Sequence, residues 1–116
     1  MKRRIGFLLP PGFQALDLMA TTVFEIANHL DGGPFYDVTL LSEQGGVLGS
    51  SSGVGVFTEA FERHDYDTLI VAGIMQPLTQ RPSSAFLDFL RDASHASRRT
   101  ASICTGAFIL AEAGLL

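Results

Sequence analysis

The sequence predicts an α/β fold with a mainly parallel sheet covered by helices on both faces. Three observations carry this. Short apolar runs such as RIGFLLP, DTLIVAG and TASIC are continuous rather than alternating, as strands buried on both faces require. Stretches with helical periodicity fill the intervals between them. Clusters of Gly, Pro and Ser separate the two kinds of segment.

RIGFLLP is the first strand, closed by Pro10-Pro11-Gly12. ALDLMATTVFEIANHL follows as a helix. Leu16, Ala20, Val23, Ala27 and Leu30 recur at its turn spacing and are expected to face the core. Asp17, Thr21 and Asn28 are expected on the opposite side. Asp31-Gly32-Gly33-Pro34 ends this helix, because glycine accepts a left-handed cap and proline cannot continue it. YDVTLLS is the second strand. GGVLGSSSGVGVFTEA, with short β-branched pieces between glycines and serines, fits a hairpin or extended excursion. DTLIVAG is the next buried strand. Pro82-Ser83-Ser84 opens a helix with Phe86, Leu90 and Ala93 on one stripe and Phe89 beside them. TASIC and TGAFILAEAGLL supply a last strand and helix. Ligands of such sheets bind beyond the carboxyl ends of the strands. PPGFQALD, AGIMQP and ICTG reach that edge, which places Asp17, the Gly73–Ile74 turn and Cys104 on one side of the sheet.

Composition narrows the class. The 116 residues suffice for one domain, and 47% hydrophobic against 17% charged content points to a packed core rather than disorder. The net charge is -4, and the basic clusters Lys2-Arg3-Arg4 and Arg98-Arg99 each precede an apolar run, as solvated strand entrances do. Contact with nucleic acid needs a wider basic face. One cysteine permits no internal disulfide and suggests a reducing compartment, hence a cytoplasmic location. The apolar run Ile5 to Leu9 is too short for a signal peptide's core, and no segment approaches membrane-spanning length. No Cys/His spacing marks a metal site, no glycine pattern marks a phosphate loop, and no cofactor is expected.

The chemistry concentrates at Cys104, where a strand turns directly into a helix. Ser102 and Gly106 stand two residues to either side. A nucleophile elbow has this arrangement, because its strained turn leaves room only for small neighbours. The N-terminus of the following helix favours thiolate over thiol. The backbone N–H of Thr105 is placed to stabilise an oxyanion. A buried inert cysteine is the commoner fate of a lone Cys, but the small residues around this one favour an accessible thiol. Asp17 alone reads as a first-turn aspartate on its own helix dipole. Its place on the same sheet edge allows a carboxyl–thiol pair sharing a proton. His29, His64 and His95 read as surface residues.

ASICTGAFILAEAGLL, with RIGFLLPPGFQALDL and DTLIVAG, resembles the ThiJ/PfpI superfamily, the class I glutamine amidotransferase-like fold. The nearest branches are the N-terminal domain of GlxA-type AraC-family transcriptional regulators and isocyanide hydratase, which carry a CTG…L..AGLL elbow and an F..LDL loop. The resemblance implies a flavodoxin-like three-layer sandwich and a homodimer. It implies that Cys104 is the elbow cysteine, that Asp17 is the acid facing it, and that the N–H groups of Ile74 and Thr105 are oxyanion-hole donors. Gly73, Ile74, Thr105 and Gly106 are thereby the expected ligand-binding positions, with Cys104 and Asp17 the catalytic ones.

The chain also departs from that pattern. Ala20-Thr21 stand where Gly-Pro often follows LDL. The turn after the third main strand is usually Gly-Gly, and here it is Gly73-Ile74. A β-branched residue tolerates positive φ badly, so a remodelled oxyanion hole is expected. Family domains continue beyond the elbow helix, so residues 1–116 are expected to be a partial domain, truncated after it. The helix-turn-helix pair of the regulators has no counterpart here, and no DNA contact is expected from the chain itself. The favoured reading is a ligand-sensing and dimerisation domain of an AraC-type regulator, with a small-molecule pocket at Cys104. The rival is a cysteine enzyme of the isocyanide hydratase or amidase-like branch, in which Cys104 attacks and Asp17 shuttles the proton. A non-catalytic dimerisation module with a merely packed Cys104 is a third.

Overall fold

Apolar runs become strands β1 (Arg3–Leu8), β2 (Tyr36–Ser42), β3 (Gly46–Gly49), β4 (Gly55–Ala60), β5 (Thr68–Val71) and β6 (Arg99–Ser102) in the computed structural model, which describes residues 2–116. They form one sheet in the order β3-β4-β2-β1-β5-β6. Every pairing is parallel except the β3–β4 hairpin that extends one edge. The interior strands β1 and β5 are the most apolar, and Ile5, Phe7, Leu8, Leu69 and Val71 are buried.

The periodic segments become a short 3-10 turn (Ala15–Met19) running into α1 (Ala20–Asn28), then α2 (Ser84–Ala96) and α3 (Gly106–Glu112). The helices α2 and α3 pack on one face of the sheet, where Phe86, Phe89, Leu90, Ala93, Ile109 and Leu110 meet Leu8, Leu41, Leu69 and Val71. Across the sheet, Phe24 and Ala20 of the α1 side cover Ile5, Phe7 and Ile70. The result is the expected three-layer, flavodoxin-like arrangement. Ser83 caps α2 by accepting from the Phe86 N–H at 3.1 Å, and the stripe expected for that helix is the one buried. His29, His64 and His95 are exposed, as expected of surface residues.

One expectation is reversed. The face of residues 16–30 that carries Leu16, Val23 and Leu30 points to solvent, and Asp17, Thr21, Phe24 and Asn28 point inward. Specific polar bonds decide the orientation. The Asn28 side chain accepts from the N–H groups of Phe35 and Tyr36 and donates to the Tyr36 carbonyl, at 2.8–2.9 Å, which ties the helix end to the start of β2. Asp17 is held in the same way at the other end, as described below. Each inward polar group is bonded, so its burial is compatible with the fold.

The amino-terminal edge of the sheet is fastened by charge. Asp67, at the entrance to β5, accepts two hydrogen bonds from Arg98 at 2.8 and 3.1 Å and one from Thr68 at 2.7 Å, with Arg3 at 3.4 Å. The Arg98 bonds, with that from Thr68, lower the Asp67 pKa from 3.8 to about 2. A carboxylate depressed in the folded state stabilises it above the unfolded value, and that contribution is lost as pH falls through the folded value. Asp67→Asn is therefore expected to lower stability near neutral pH and to flatten the acid limb of the stability profile between about pH 4 and 2. Urea unfolding at a series of pH values checks this; a variant with an unchanged acid limb would contradict it.

Candidate functional site

The opposite, carboxyl-terminal edge brings together the three predicted segments. The Ala72 N–H donates to the Leu8 carbonyl at 3.1 Å, and the Ile103 N–H donates to the Val71 carbonyl at 3.0 Å. The Gln14 N–H donates to the Gly73 carbonyl at 2.9 Å, which draws the loop after β1 onto the turn after β5. Phe13 and Ile74 complete that contact as an isolated β-bridge.

Cys104 stands between β6 and α3 with φ of 53°, and it alone among the described non-glycine residues has positive φ. A cysteine in this left-handed region is held there by its surroundings. Its side chain is exposed. The need for small neighbours has a direct cause at Gly106. A Cβ there would stand 2.3 Å from the Val71 carbonyl oxygen, which is backbone and cannot move aside. Gly73 is constrained likewise: its Cβ would lie 2.4 Å from Thr105 Oγ1 and 2.9 Å from the Thr105 nitrogen.

Asp17 is 5% exposed, and its Oδ2 accepts from the Gly73 N–H at 2.7 Å. This is a charge-assisted bond in a desolvated place, where its loss would leave a buried donor unpaired at a cost of roughly 1–3 kcal/mol. Among the described residues no side chain, Asp17 included, is hydrogen-bonded to the Cys104 sulfur. The carboxylate thus braces the Gly73 turn at the expected edge without a direct bond to the thiol.

Ile74 is buried and its backbone is not left-handed, so its β-branch meets no strain. The polar groups of Ile74 are engaged by a side chain. The Ile74 N–H donates to Thr105 Oγ1 at 2.9 Å, and the Thr105 hydroxyl donates to the Ile74 carbonyl at 2.6 Å. One side chain therefore caps both polar groups of the residue expected to supply an oxyanion donor. Two concavities flank the elbow. One of about 350 Å³ is lined by Pro10, Pro11, Ile74, Arg81, Phe86 and Ile109 among others. The other, about 400 Å³, is lined by Met75, Gln76, Pro77, Leu78, Thr79 and Phe108. Cys104 lines neither.

Gln14 belongs to the site without any spacing in the sequence to mark it. Its Nε2 donates to Met75 Sδ at 3.1 Å, and its Oε1 is the one buried side-chain polar atom without a partner among the described residues. Buried polar groups are ordinarily paired, so this atom is an acceptor in waiting beside Gly73.

The glycine constraint is testable. Gly106→Ala is expected to destabilise the fold by about 1–3 kcal/mol, the usual penalty of overpacking, and to disturb the turn at Cys104. Denaturant unfolding, with the neighbouring Ala107→Ser as a mild reference, checks this. Equal stability of Gly106→Ala and the unaltered chain would contradict the close approach.

Comparison with known proteins bears on the family and the fold. The family model described as DJ-1/PfpI matches residues 3–116. The HTH-type transcriptional regulator GlxA of Rhizobium meliloti is 38% identical over 117 aligned residues, covering 98% of this chain and 36% of the regulator. This chain thus spans about a third of that protein's length. A ThiJ/PfpI family protein from Pseudomonas syringae superposes with a TM-score of 0.83 at 22% identity, covering all of this chain and 48% of the other. An AraC family transcriptional regulator from Pseudomonas putida superposes with a TM-score of 0.78 at 24% identity, covering 98% of this chain and 62% of the other. The family match over residues 3–116 establishes that the chain belongs to the DJ-1/PfpI family.

Proposed function

We propose that this chain is the ligand-sensing and dimerisation domain of an AraC-type transcriptional regulator, with a small-molecule site at the Cys104 elbow. Gly73, Ile74, Thr105 and Gly106 form its wall, and Asp17 supports the wall through Gly73. DNA is reached through a helix-turn-helix domain and not through this acidic domain, and the protein works in the cytoplasm. The observation that carries the reading is the Thr105 hydroxyl bonded to both the N–H and the carbonyl of Ile74. A catalytic oxyanion hole needs a donor free and aimed at developing charge. A donor already satisfied by a side chain suits binding better than turnover. The curated relative is a transcriptional regulator, which accords with this.

The rival reading is an enzyme of the isocyanide hydratase or amidase-like kind. The strained, exposed Cys104 favours it, since such backbone strain clusters at reactive sites. In that chemistry the Cys104 sulfur attacks an electrophilic carbon and Asp17 moves the proton.

Turnover separates the two. The chain is expected to show no hydration of p-nitrophenyl isocyanide, no hydrolysis of a simple amide and no consumption of methylglyoxal beyond the background of its Cys104→Ala variant. For an enzyme, Cys104→Ala and Asp17→Asn would each reduce turnover by roughly 10²–10⁴. Cys104-dependent turnover of any of the three substrates would overturn the sensor reading.

A further inference from the structure

The basic clusters Lys2-Arg3-Arg4 and Arg98-Arg99 lie far apart in the chain and meet in the fold. The strand β5 runs parallel between β1 and β6, so the entrances of all three fall on one edge of the sheet. Arg63, on the loop before β5, joins them through Asp65, which it shares with Arg4. Six of the eight basic residues of an acidic chain are thus gathered at the amino-terminal edge. The exceptions are Arg81, before α2, and Arg91, within it.

Fastening the strands does not use this much positive charge. Asp65 is shared by Arg4 at 2.9 Å and Arg63 at 2.7 Å, and Asp67 by Arg98 at 2.8 Å and Arg3 at 3.4 Å. A guanidinium carries several N–H donors in a rigid fork. Arg3 and Arg4 each spend one on these carboxylates, and Arg98 spends two. Lys2 and Arg99 have no carboxylate partner among the described residues. Asp37, opposite Arg4 in the register of β1 and β2, is exposed and forms no ion pair with any of them. Like charges crowded in this way repel one another, and an anion from outside relieves the repulsion.

The edge is also concave there. Lys2, Arg3, Arg4 and Arg98 line a hollow of about 460 Å³ with Asp65 and Asp67, an excess of two positive charges. Tyr66 and Ala96 add apolar surface to it. The guanidinium of Arg4 lies 5.3 Å from the centre of the buried Tyr66 ring, and with the Asp65 bond this fixes its position. Asp67 fixes Arg98 by gripping it with both carboxylate oxygens. The carboxylates therefore hold the cations in place and leave their remaining donors free. The charge excess matches the dianion of a phosphate monoester, whose oxygens accept paired arginine donors. The hollow is of the size of small-molecule sites, and the acidity of the chain as a whole disfavours a long phosphate array. We propose that this hollow binds the phosphate of a small organic phosphate ester. The site lies at the opposite end of the sheet from Cys104 and does not depend on the sensor reading.

Calorimetric titration of the chain with phenyl phosphate, in phosphate-free buffer at physiological salt, tests this. Binding should be single-site, and benzoate, a monoanion of similar shape, should bind more weakly. Lys2→Gln and Arg3→Gln, each at an exposed position, should weaken phenyl phosphate about three- to five-fold with unchanged circular dichroism, the scale of one exposed ion pair. Arg81→Gln, the same loss of charge at the opposite edge, should leave binding unchanged. Proton–nitrogen NMR spectra of the unaltered chain locate the ligand without any variant. The amides of Arg3, Asp67 and Arg98 should shift on addition of phenyl phosphate, and those of Gly73 and Thr105 should not. No binding at millimolar phenyl phosphate, equal binding of benzoate, or shifts confined to the Gly73 and Thr105 amides would overturn the site. Equal losses in Arg81→Gln and Arg3→Gln would also overturn it, since diffuse charge would then explain the binding. A DNA duplex of random sequence that displaces phenyl phosphate at the same salt would overturn the small ester and make this edge a nucleic-acid contact.

Discussion

The close approach of the elbow to the end of β5 is the constraint on which the site depends. The Val71 carbonyl accepts from the Ile103 N–H, and the same oxygen occupies the space that a Cβ on Gly106 would need. The chain must therefore enter α3 directly over backbone. That leaves the residue before the turn little choice of conformation, and Cys104 takes positive φ. It also brings Thr105 against the Gly73–Ile74 turn, where its hydroxyl bonds to Ile74. The glycine at 73 is the other half of the same contact, because any side chain there would strike Thr105. Glycine at two positions, strain at a third and a hydroxyl at a fourth thus have one steric origin.

The strands were legible because burial on both faces leaves a continuous apolar run that periodicity does not blur. The β2 run and the β3–β4 excursion fall where the residues place them. The stripe of α2 was legible because Phe86, Leu90 and Ala93 face a full core. The stretch 16–30 was read inside out for the converse reason. The rule that apolar stripes face inward assumes that one domain's core is their only destination. Here Phe24 and Ala20, with Tyr36, Val38, Leu40 and Ile103, cover Ile5 and Phe7, and the orientation is fixed by Asp17 and Asn28. Polar residues at helical spacing looked solvent-facing because nothing in a single sequence announces the backbone groups that will pair with them.

At the candidate site, which segments share an edge was more legible than how they bond. Topology alone puts Asp17, Gly73 and Cys104 on one edge, and they are there. What the sequence could not show is who bonds to whom. Thr105 stood out for its backbone N–H, whereas its side chain makes the decisive contact. Asp17 stood out as a partner of the thiol, whereas its bond goes to the Gly73 N–H. Gln14 carried no signal, since an amide beside a Pro-Pro-Gly turn has many ordinary roles. Its buried, unpaired Oε1 is visible only once Met75 and Gly73 have been folded around it.

The two edges of the sheet are held by different physics, and the difference bears on how the domain works. At the amino edge, Asp67 joins β1, β5 and β6 through partly exposed ion pairs, which fasten strand entrances without strict geometry. At the carboxyl edge, the contacts are buried, short and mutually dependent. A shift of the 3-10 turn by a fraction of an ångström would alter the Asp17 bond to Gly73, and the Gly73 turn has no slack against Thr105. Tightly packed elements respond to a ligand by moving together rather than by deforming one at a time. Displacement of any one of Asp17, Gly73 and Thr105 would therefore be felt at the other two.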